Sequence, residues 1–549
     1  MAEMDRRRFL QGSGAVAAGL ALGGCTIPEV SEGSTDPLDT FDHVVVVMFE
    51  NRSFDNLLGG LHGAPGAPRP GFDGVFLPGS PGVVSNPSPF GGRIPAGPTS
   101  IGTAPSVDPG ETWADVNVQL FGEFDPASNR YKDGSPGTST SMTAPWNAPP
   151  AGRAADMSGF ALDYQSAWKV GTGQDATPTD IAQVMQYFTS DVLPVTHGLA
   201  RSFGVFDHWF CDVPSDTFVN RSFFHAAGST GLVTEPPYAV WPLHNTAETI
   251  LSRMASKGVS WNVFFDPWQV VPLTLLINFR DLWPHIGRFH HIDRFFSAAA
   301  SGSLPQYTFI EPRMLTIDPT GHPESDMHPT FFELFGKYVI SDVRRGDAFL
   351  HQVYDAIRRS PARDRTLLLM CFDEHGGMHD HVPPPATTPP GGGAPAQYGF
   401  GFDRLGVRVP TLAISSHVPQ GRIVQQQMQN TSVIRTLSEK WGLGHLTQRD
   451  AHAPRFDGII DPRARRAWPV TTPPQVDAPQ APAQPFASGL GVAAMAAARA
   501  AAEALPRLQA GQEVDTLARG AAAKAGPSEA TSEQLRVALE QANATLQVG

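Results

Sequence analysis

Short apolar runs recur along the chain, each ending in polar or turn-forming residues. The clearest is His43-Val-Val-Val-Val-Met-Phe49, four consecutive valines followed by Glu50 and Asn51. A continuous β-branched run of this length reads as a strand buried on both faces, the kind found inside parallel sheets. Similar runs predict strands over residues 203–210, 259–265, 306–310, 366–372 and 411–415. Between them, residues 181–188 have helical spacing. Ser341 is placed to cap a helix in which Val343, Phe349, Leu350, Val353, Tyr354 and Ile357 share one face, leaving Arg344, Arg345, Arg358 and Arg359 to solvent. Strands alternating with helices predict an α/β fold with a mainly parallel sheet covered on both sides.

The pattern fails in two places. Residues 59–150 are dense in Gly, Pro and Ser, which supports turns and loop rather than sheet or helix, and an insertion directly after the first strand tip would lie over whatever that tip carries. Its aromatic residues follow no helical or strand period. Residues 469–485 read as linker, and 489–504 as an Ala-rich helix with too few large apolar residues for its own core.

The N-terminal segment is an address rather than fold. Asp5-Arg6-Arg7-Arg8-Phe9-Leu10-Gln11 resembles the twin-arginine export signal, and the apolar run that follows is too short for a lasting membrane anchor. Leu22-Gly23-Gly24-Cys25 resembles a lipobox, so that Cys25 would become a lipidated N-terminus giving membrane contact; the alternative is an ordinary signal peptide. Export predicts a periplasmic, anchored or secreted protein. The division expected is a signal at 1–25, a catalytic domain at 40–465 and a peripheral tail at 466–549. With 40 Lys+Arg against 53 Asp+Glu and a net charge of −13, no general attraction to nucleic acid is expected. The two remaining cysteines, Cys211 and Cys371, read as buried free thiols, with a disulfide as the alternative.

Candidate chemistry collects at strand ends. Glu50 and Asn51 leave the first strand, and Asp373 and Glu374 leave the 366–372 strand ahead of His375-Gly-Gly377. In open α/β sheets ligands bind at the carboxyl ends of the strands. Three carboxylates in one crevice repel unless positive charge lies between them, which points to a divalent cation. The alternative for Glu50 and Asn51 is that they merely open the next helix. Val213-Pro-Ser-Asp-Thr-Phe-Val-Asn-Arg221 offers hydroxyls, an amide and a guanidinium suited to anionic oxygens, or else a polar turn capping a helix with Ser215 and Asp216. Among 18 histidines, His328 in Asp326-Met-His-Pro329 stands out because a proline loop would hold its ring.

Together with Phe49-Glu-Asn-Arg-Ser-Phe-Asp55, Ile310-Glu-Pro-Arg313, Phe402-Asp-Arg-Leu-Gly-Val-Arg-Val-Pro410 and Phe372-Asp-Glu-His-Gly-Gly-Met-His-Asp-His-Val-Pro-Pro384, these motifs resemble the phosphoesterase family of non-specific phospholipases C and bacterial acid phosphatases. The resemblance spans roughly residues 40 to 445. It implies a three-layer α/β/α, alkaline-phosphatase-like fold and metal-assisted hydrolysis of phosphate esters. It also implies one divalent metal ion (Ca²⁺, Mg²⁺, Mn²⁺ or Zn²⁺) on Glu50, Asn51, Asp373 and Glu374. Thr217 would be the nucleophile, forming a phosphothreonine. Asn220 and Arg221 would orient its turn, and His290 and His328 would contact the phosphoryl group. Two departures stand out: Glu111 and Asn430 occupy places where relatives usually carry histidine, the first putting a phosphate contact in question and the second touching the support of the site. The substrate expected is a phospholipid, with a small phosphomonoester as the alternative and a non-catalytic, lipid-anchored binding protein as a further one.

Overall fold

The computed structural model describes residues 36–476 except 63–68, 70, 76–82, 131–141, 151, 235–240, 267–268, 270–271, 315–323, 330, 335–336 and 394–395. The expected signal segment and Ala-rich helix therefore lie outside the described residues. The valine run forms the strand β1 (His43–Phe49), buried throughout except at His43. The other strands of its sheet are β2 (Gly204–Phe206), β3 (Trp261–Phe265), β4 (Phe289–His291), β5 (Tyr307–Glu311), β6 (Thr366–Phe372), β7 (Thr411–Ile414) and β8 (Arg422–Val424). Their spatial order is β8-β2-β7-β6-β1-β5-β3-β4, and only β7 runs antiparallel to its neighbours. β1 and β6 pair in parallel along their whole length, from His43 opposite Thr366 to Phe49 opposite Phe372. Glu50 and Asp373 therefore leave the sheet side by side.

Helices flank this mainly parallel sheet in a three-layer α/β/α arrangement. α1 (Trp113–Phe121) and α2 (Phe160–Thr172) pack on each other in an apolar cluster apart from the sheet core, and the flanking helices include α3 (Pro194–Ser202), α4 (Thr217–Ala226), α5 (Ile292–Ser301), α6 (Val343–Arg359) and α7 (Thr431–Trp441). α6 packs on α3 and α5, while α4 packs on α7. The valines of β1 share one core with Leu367, Leu368 and Leu369 of β6 and with Leu350, Val353 and Tyr354 of α6.

Several expectations change. Residues 181–188 are not one helix: a single turn at Pro178–Ile181 and a tighter turn at Ala182–Met185 lead into a short strand, Gln186–Phe188. Asp342, not Ser341, caps α6, accepting from the Arg344 N–H. Arg345 is buried on Glu324 rather than solvated. The 203–210 run breaks at Asp207-His208, and its second half pairs Trp209–Phe210 with Met428–Gln429 in a separate two-stranded ribbon. The two outer strands β4 and β8 are three residues each and were not expected. The glycine- and proline-rich insertion contains a helix after all: α1 is buried along its length, with a capping box between Thr112 and Asp115. Part of the expected linker is docked, since Trp468 stacks on Tyr354 and the Tyr354 hydroxyl donates to the Pro469 carbonyl at 2.7 Å. Cys211 and Cys371 are buried free thiols.

One buried carboxylate joins two helices of the same layer. Asp347 of α6 accepts from the Val195 N–H at 2.9 Å and from the Thr196 N–H and hydroxyl at 2.8 and 2.6 Å, satisfying first-turn donors of α3 that have no intrahelical partner. Asp347→Ala leaves those donors buried and unpaired. It should lower stability by about 2 kcal/mol, read as a shift of the urea midpoint at constant slope; a shift within error would count against the cap.

Candidate active site at the strand tips

Two strand ends and one helix start meet here. Glu50 follows β1, Asp373 follows β6, and Arg221 reaches in from the second turn of α4; all three side chains are fully buried. The guanidinium lies between the carboxylates, with Nη2 2.8 Å from Glu50 Oε1 and Nε 3.1 Å from Asp373 Oδ2. Burial opposes the charge on Arg221, yet Glu50 and Asp373 hold its pKa above the ordinary arginine value. Burial pushes Asp373 up, and Arg221 acts against that shift. Arg221 thus supplies part of the positive charge that the sequence argument assigned to a metal, and its fork faces protein carboxylates.

Thr217 is the first residue of α4, with Asp216 at the N-cap. Its hydroxyl donates to Asn51 Oδ1 at 3.3 Å. Asn220 ties the preceding turn together: its amide donates to the carbonyls of Val213, Ser215 and Asp216 and accepts from the Val213 N–H at 2.9 Å. Asn51 has a left-handed backbone (φ 62°), and its N–H donates to Asp373 Oδ1 at 3.3 Å. A Cβ on Gly376 would collide with the Asn51 carbonyl, so only glycine lets the turn after Glu374 pass this close. Glu374 Oε2 accepts from the Gly376 N–H at 2.7 Å and lies 3.1 Å from His375 Nδ1. His375 Nε2 in turn meets Gln119 of α1 at 2.7 Å, and the Gln119 amide donates to Gly110 O and Asp163.

Asp326 holds the opposite wall. Its Oδ1 accepts from the N–H groups of Glu50, Met327 and His328, at 3.2, 2.6 and 2.8 Å. Burial pushes Asp326 up to about 7. His328 is also buried, and burial with the nearby charge of Arg52 lowers it to about 3, so its ring is neutral at working pH. Arg52 donates to the carbonyls of Met327 and Ala104 at 2.7 and 3.0 Å, bracing the same loop. Glu111, from the insertion, accepts from Asn51 Nδ2 at 2.6 Å and lies 3.9 Å from His328 Nε2. Asn430 supports the β6 tip: it accepts from the Trp209 indole at 2.8 Å and donates to the carbonyls of Phe372 and Asp373.

Eight of the nine expected residues thus gather at this edge, and His290 does not. It lies on β4 at the rim of the sheet, separated from β1 by β5 and β3, about 14 Å at ordinary strand spacing. Its Nδ1 faces the Arg294 guanidinium at 2.9 Å. The adjacent pair His290-His291 gave no hint that it lay on an edge strand. The reverse omission concerns Asp326 and Gln119. Asp326 was visible only as the neighbour of a histidine, and Gln119 sits in an insertion whose composition concealed a helix.

The donor set fits a divalent cation. Glu50, Asp373 and Glu374 bring three carboxylates against the single guanidinium of Arg221, while burial lowers His375 to about 3 and leaves it neutral. Two negative charges sealed from water call for a compensating cation, and carboxylate and amide oxygens suit a hard one. Among the described residues, the groups whose carboxylate and imidazole atoms lie within 4.8 Å of one another are Asp108–Glu111–His328 and Asp55–Asp380–His381; Glu50, Asp373 and Glu374 are spread more widely than that around Arg221. Burial pushes Asp108 up to about 8.

The second of these groups already carries a cationic partner. Arg408 donates to Asp55 and Asp380 at 3.0 and 2.9 Å and to the carbonyls of Asp207 and Asp73. His381 bridges Asp55 and Asp73 at 2.7 and 3.0 Å, and His208 lies against Asp207 and Asp73 at 3.0 and 3.4 Å. This clasp ties the start of the insertion to the loop after Glu374.

Set beside known proteins, the chain matches the Phosphoesterase family over residues 41–444 and, over residues 3–23, a TAT (twin-arginine translocation) pathway signal sequence. It is similar to non-specific phospholipase C1 of Arabidopsis thaliana, 32% identical over 435 residues covering 75% of this chain and 70% of that protein. It is also similar to non-specific phospholipase C6 of the same plant, 31% identical over 469 residues, 82% of this chain and 78% of that protein. Among solved structures it is similar to a protein in the alkaline phosphatase superfamily from Vibrio parahaemolyticus, at 12% identity and a TM-score of 0.29, covering 48% of this chain and 64% of that chain. No helix among the described residues is long and apolar enough to cross a membrane.

The clasp predicts a pH response. Burial would lower His381, but Asp55 and Asp73 raise it to about 10; the bonds to Asp207 and Asp73 raise His208 to about 9. Folded-state values above the ordinary histidine value give stability that is complete below about pH 6.5 and lost as pH climbs through 9 to 10. Thermal melts between pH 6 and 10 should fall across that window, and His381→Asn should flatten part of the fall. An equal slope in the variant would remove His381 from the clasp.

Proposed function

The chain belongs to the Phosphoesterase family, and from that premise we propose that it cleaves phosphate esters at the strand-tip site, acting on phospholipids in the manner of a phospholipase C. The observation that carries this reading is the Thr217 hydroxyl, held against Asn51 at the amino end of a ten-residue helix, beside two carboxylates bridged by Arg221. Backbone N–H groups and the helix dipole at that end favour an anionic phosphoryl group and an ionising hydroxyl. The relatives named as phospholipases C, matched over most of both chains, support the phosphodiester substrate.

In this reading Thr217 Oγ forms a bond to phosphorus as the bond to the diglyceride oxygen breaks, its proton passing through solvent to that oxygen; water then adds to phosphorus, the Thr217 Oγ–phosphorus bond breaks, and the phosphorylated head group leaves while a proton from the water restores the hydroxyl. Glu50, Asn51, Asp373 and Glu374 would hold one divalent ion. When bound, it supplies positive charge that lowers the pKa of the Thr217 hydroxyl and offsets charge on the phosphoryl oxygens. Arg221 stands between Glu50 and Asp373, ion-paired to the first and donating its Nε to the second. Asn220 sets the turn that presents Thr217. His328, held neutral, donates a hydrogen bond to the substrate rather than acting as an acid. Export by the twin-arginine route places this chemistry outside the cytoplasm, and lipidation of Cys25 would hold it at a membrane surface.

Thr217→Ala should lower kcat by about three orders of magnitude or more on phosphatidylcholine, with an unchanged melting profile and unchanged divalent-cation content. Wild-type protein quenched in acid during turnover should carry phosphothreonine at position 217. Hydrolysis of a chromogenic phosphomonoester but not of phosphatidylcholine would reassign the protein as a phosphatase. Full activity of Thr217→Ala on both would remove the nucleophile assignment.

A further inference from the structure

The insertion and the loop after Glu374 bring aromatic rings together beside the helix that starts at Thr217. Trp113 of α1 stacks on Tyr398 at 5.3 Å and 13° and meets Phe400 at 5.9 Å, and Trp146 lies 4.9 Å from Tyr398. Trp113, Phe400 and Phe402 share one apolar cluster with Val213 and Phe218, which precede and follow Thr217; Trp146 and Tyr398, half-buried, pack against it. Three of these rings stand on strained backbone. Trp146, Tyr398 and Phe402 have φ of 55°, 57° and 54°, a left-handed conformation that bulky residues adopt only at a cost. Strain of this kind persists where the surrounding structure fixes it, and it collects at ligand clamps. Here amides fix it: Asn147 donates to the Ala114 carbonyl at 3.0 Å and Asn117 to the Trp146 carbonyl at 3.3 Å, while the Gln397 side chain accepts from the Val233 and Thr234 N–H groups at 2.7 and 3.2 Å.

The rings also lie beside the solvent side of the site. Glu50, Asn51, Thr217, Asp373 and Glu374 are fully buried, whereas Glu111, two residues before Trp113, is 13% exposed. In-line displacement turns the leaving oxygen away from the Thr217 hydroxyl, so the leaving group extends towards that open side. We propose that Trp146 and Tyr398, on a base of Trp113 and Phe400, form the subsite for the acyl chains of the diglyceride leaving group, and that the enzyme thereby selects phosphodiesters by the apolar length of that group. The inference rests on the phospholipase C reading of the Thr217 site. An acyl chain suits this surface better than a cationic head group does: the Arg404 guanidinium sits 6.0 Å from the Phe400 ring centroid, and its charge opposes a quaternary ammonium on the neighbouring rings. Apolar faces held by hydrogen-bonded turns gain by covering methylenes and lose little ordering entropy in doing so. Each methylene fully removed from water favours binding by about fourfold.

Glycine tolerates the left-handed backbone, so Tyr398→Gly and Trp146→Gly each remove a ring without adding strain to its turn. The measurement is kcat/KM for dibutanoyl and dihexanoyl phosphatidylcholine, both used as monomers in solution so that membrane binding plays no part. In wild type the longer chains should be favoured, and each variant should lower the dihexanoyl-to-dibutanoyl ratio by about tenfold. Tyr398→Phe, which keeps the ring, should preserve the ratio. Trp146→Gly lies on a separate loop and covers the case in which Tyr398→Gly does not fold. A flat ratio in wild type, or a chain-length preference that the folded glycine variants keep, overturns the proposal. So does an equal loss on both chain lengths, which would assign the rings to the choline or the glycerol. Hydrolysis of a chromogenic phosphomonoester with neither phosphatidylcholine cleaved would sink the phospholipase C reading and this subsite with it, an outcome distinct from a preference that survives without the rings.

Discussion

The guanidinium of Arg221 between Glu50 and Asp373 is the contact on which the strand-tip edge depends. All three groups are removed from water, and desolvating them costs several kcal/mol each unless the geometry returns it. The geometry comes from strand register. Because Phe49 lies opposite Phe372, the next residues of β1 and β6 emerge side by side, at a spacing one planar fork can span. Removing the guanidinium alone would leave two carboxylates buried together, a defect of about 3–5 kcal/mol. The pair of acids and the arginine therefore stand or fall together, although they lie far apart in the chain.

Around that contact, each polar group is oriented by something outside its own element. Asn51 is turned by Glu111, Glu374 faces a histidine held by Gln119, and the N–H of Glu50 is received by Asp326. Glu111 and Gln119 belong to the insertion between β1 and α2. The insertion is thus part of the site wall as well as a cover for it. The clasp of Asp55, Asp73, His381 and Arg408 anchors the near end of the insertion to the loop that follows Glu374. Two separate polar networks consequently join the same two regions, and motion of the insertion would be felt at the strand tips.

How much of this was legible in the sequence follows from the kind of signal each feature leaves. The β1 and β6 strands were readable because a buried parallel strand must be apolar on both faces, and their terminal acids stood out against that run. The pairing of those two strands was not written in either one; the sequence suggested only that their acidic ends share a crevice, and the register shows them as direct neighbours. α1 was missed because turn-rich sequence on both sides outweighed nine residues whose helix is stabilised by burial and a capping box. His290 was misplaced for the opposite reason: a motif position was carried over, while β4 is too short to announce itself as an edge strand. Ser341 and Asp342 are both good caps, and only the backbone decides between neighbours.

Burial also determines which groups can carry charge here. It lowers His328, His375 and His225 to about 3, so none of these imidazoles is positive at neutral pH. Arg221 stays charged because its two acids more than offset the desolvation, and Arg52, lowered by burial to about 9, stays charged as well. The positive field from side chains is therefore made of guanidinium groups whose protonation does not change between pH 5 and pH 8. What does change in that interval is acidic: burial places Asp326 at about 7 and Asp108 at about 8. A pH profile of the edge would thus report carboxyl groups in the supporting wall, and a limb near neutrality need not be assigned to histidine merely because histidines are present.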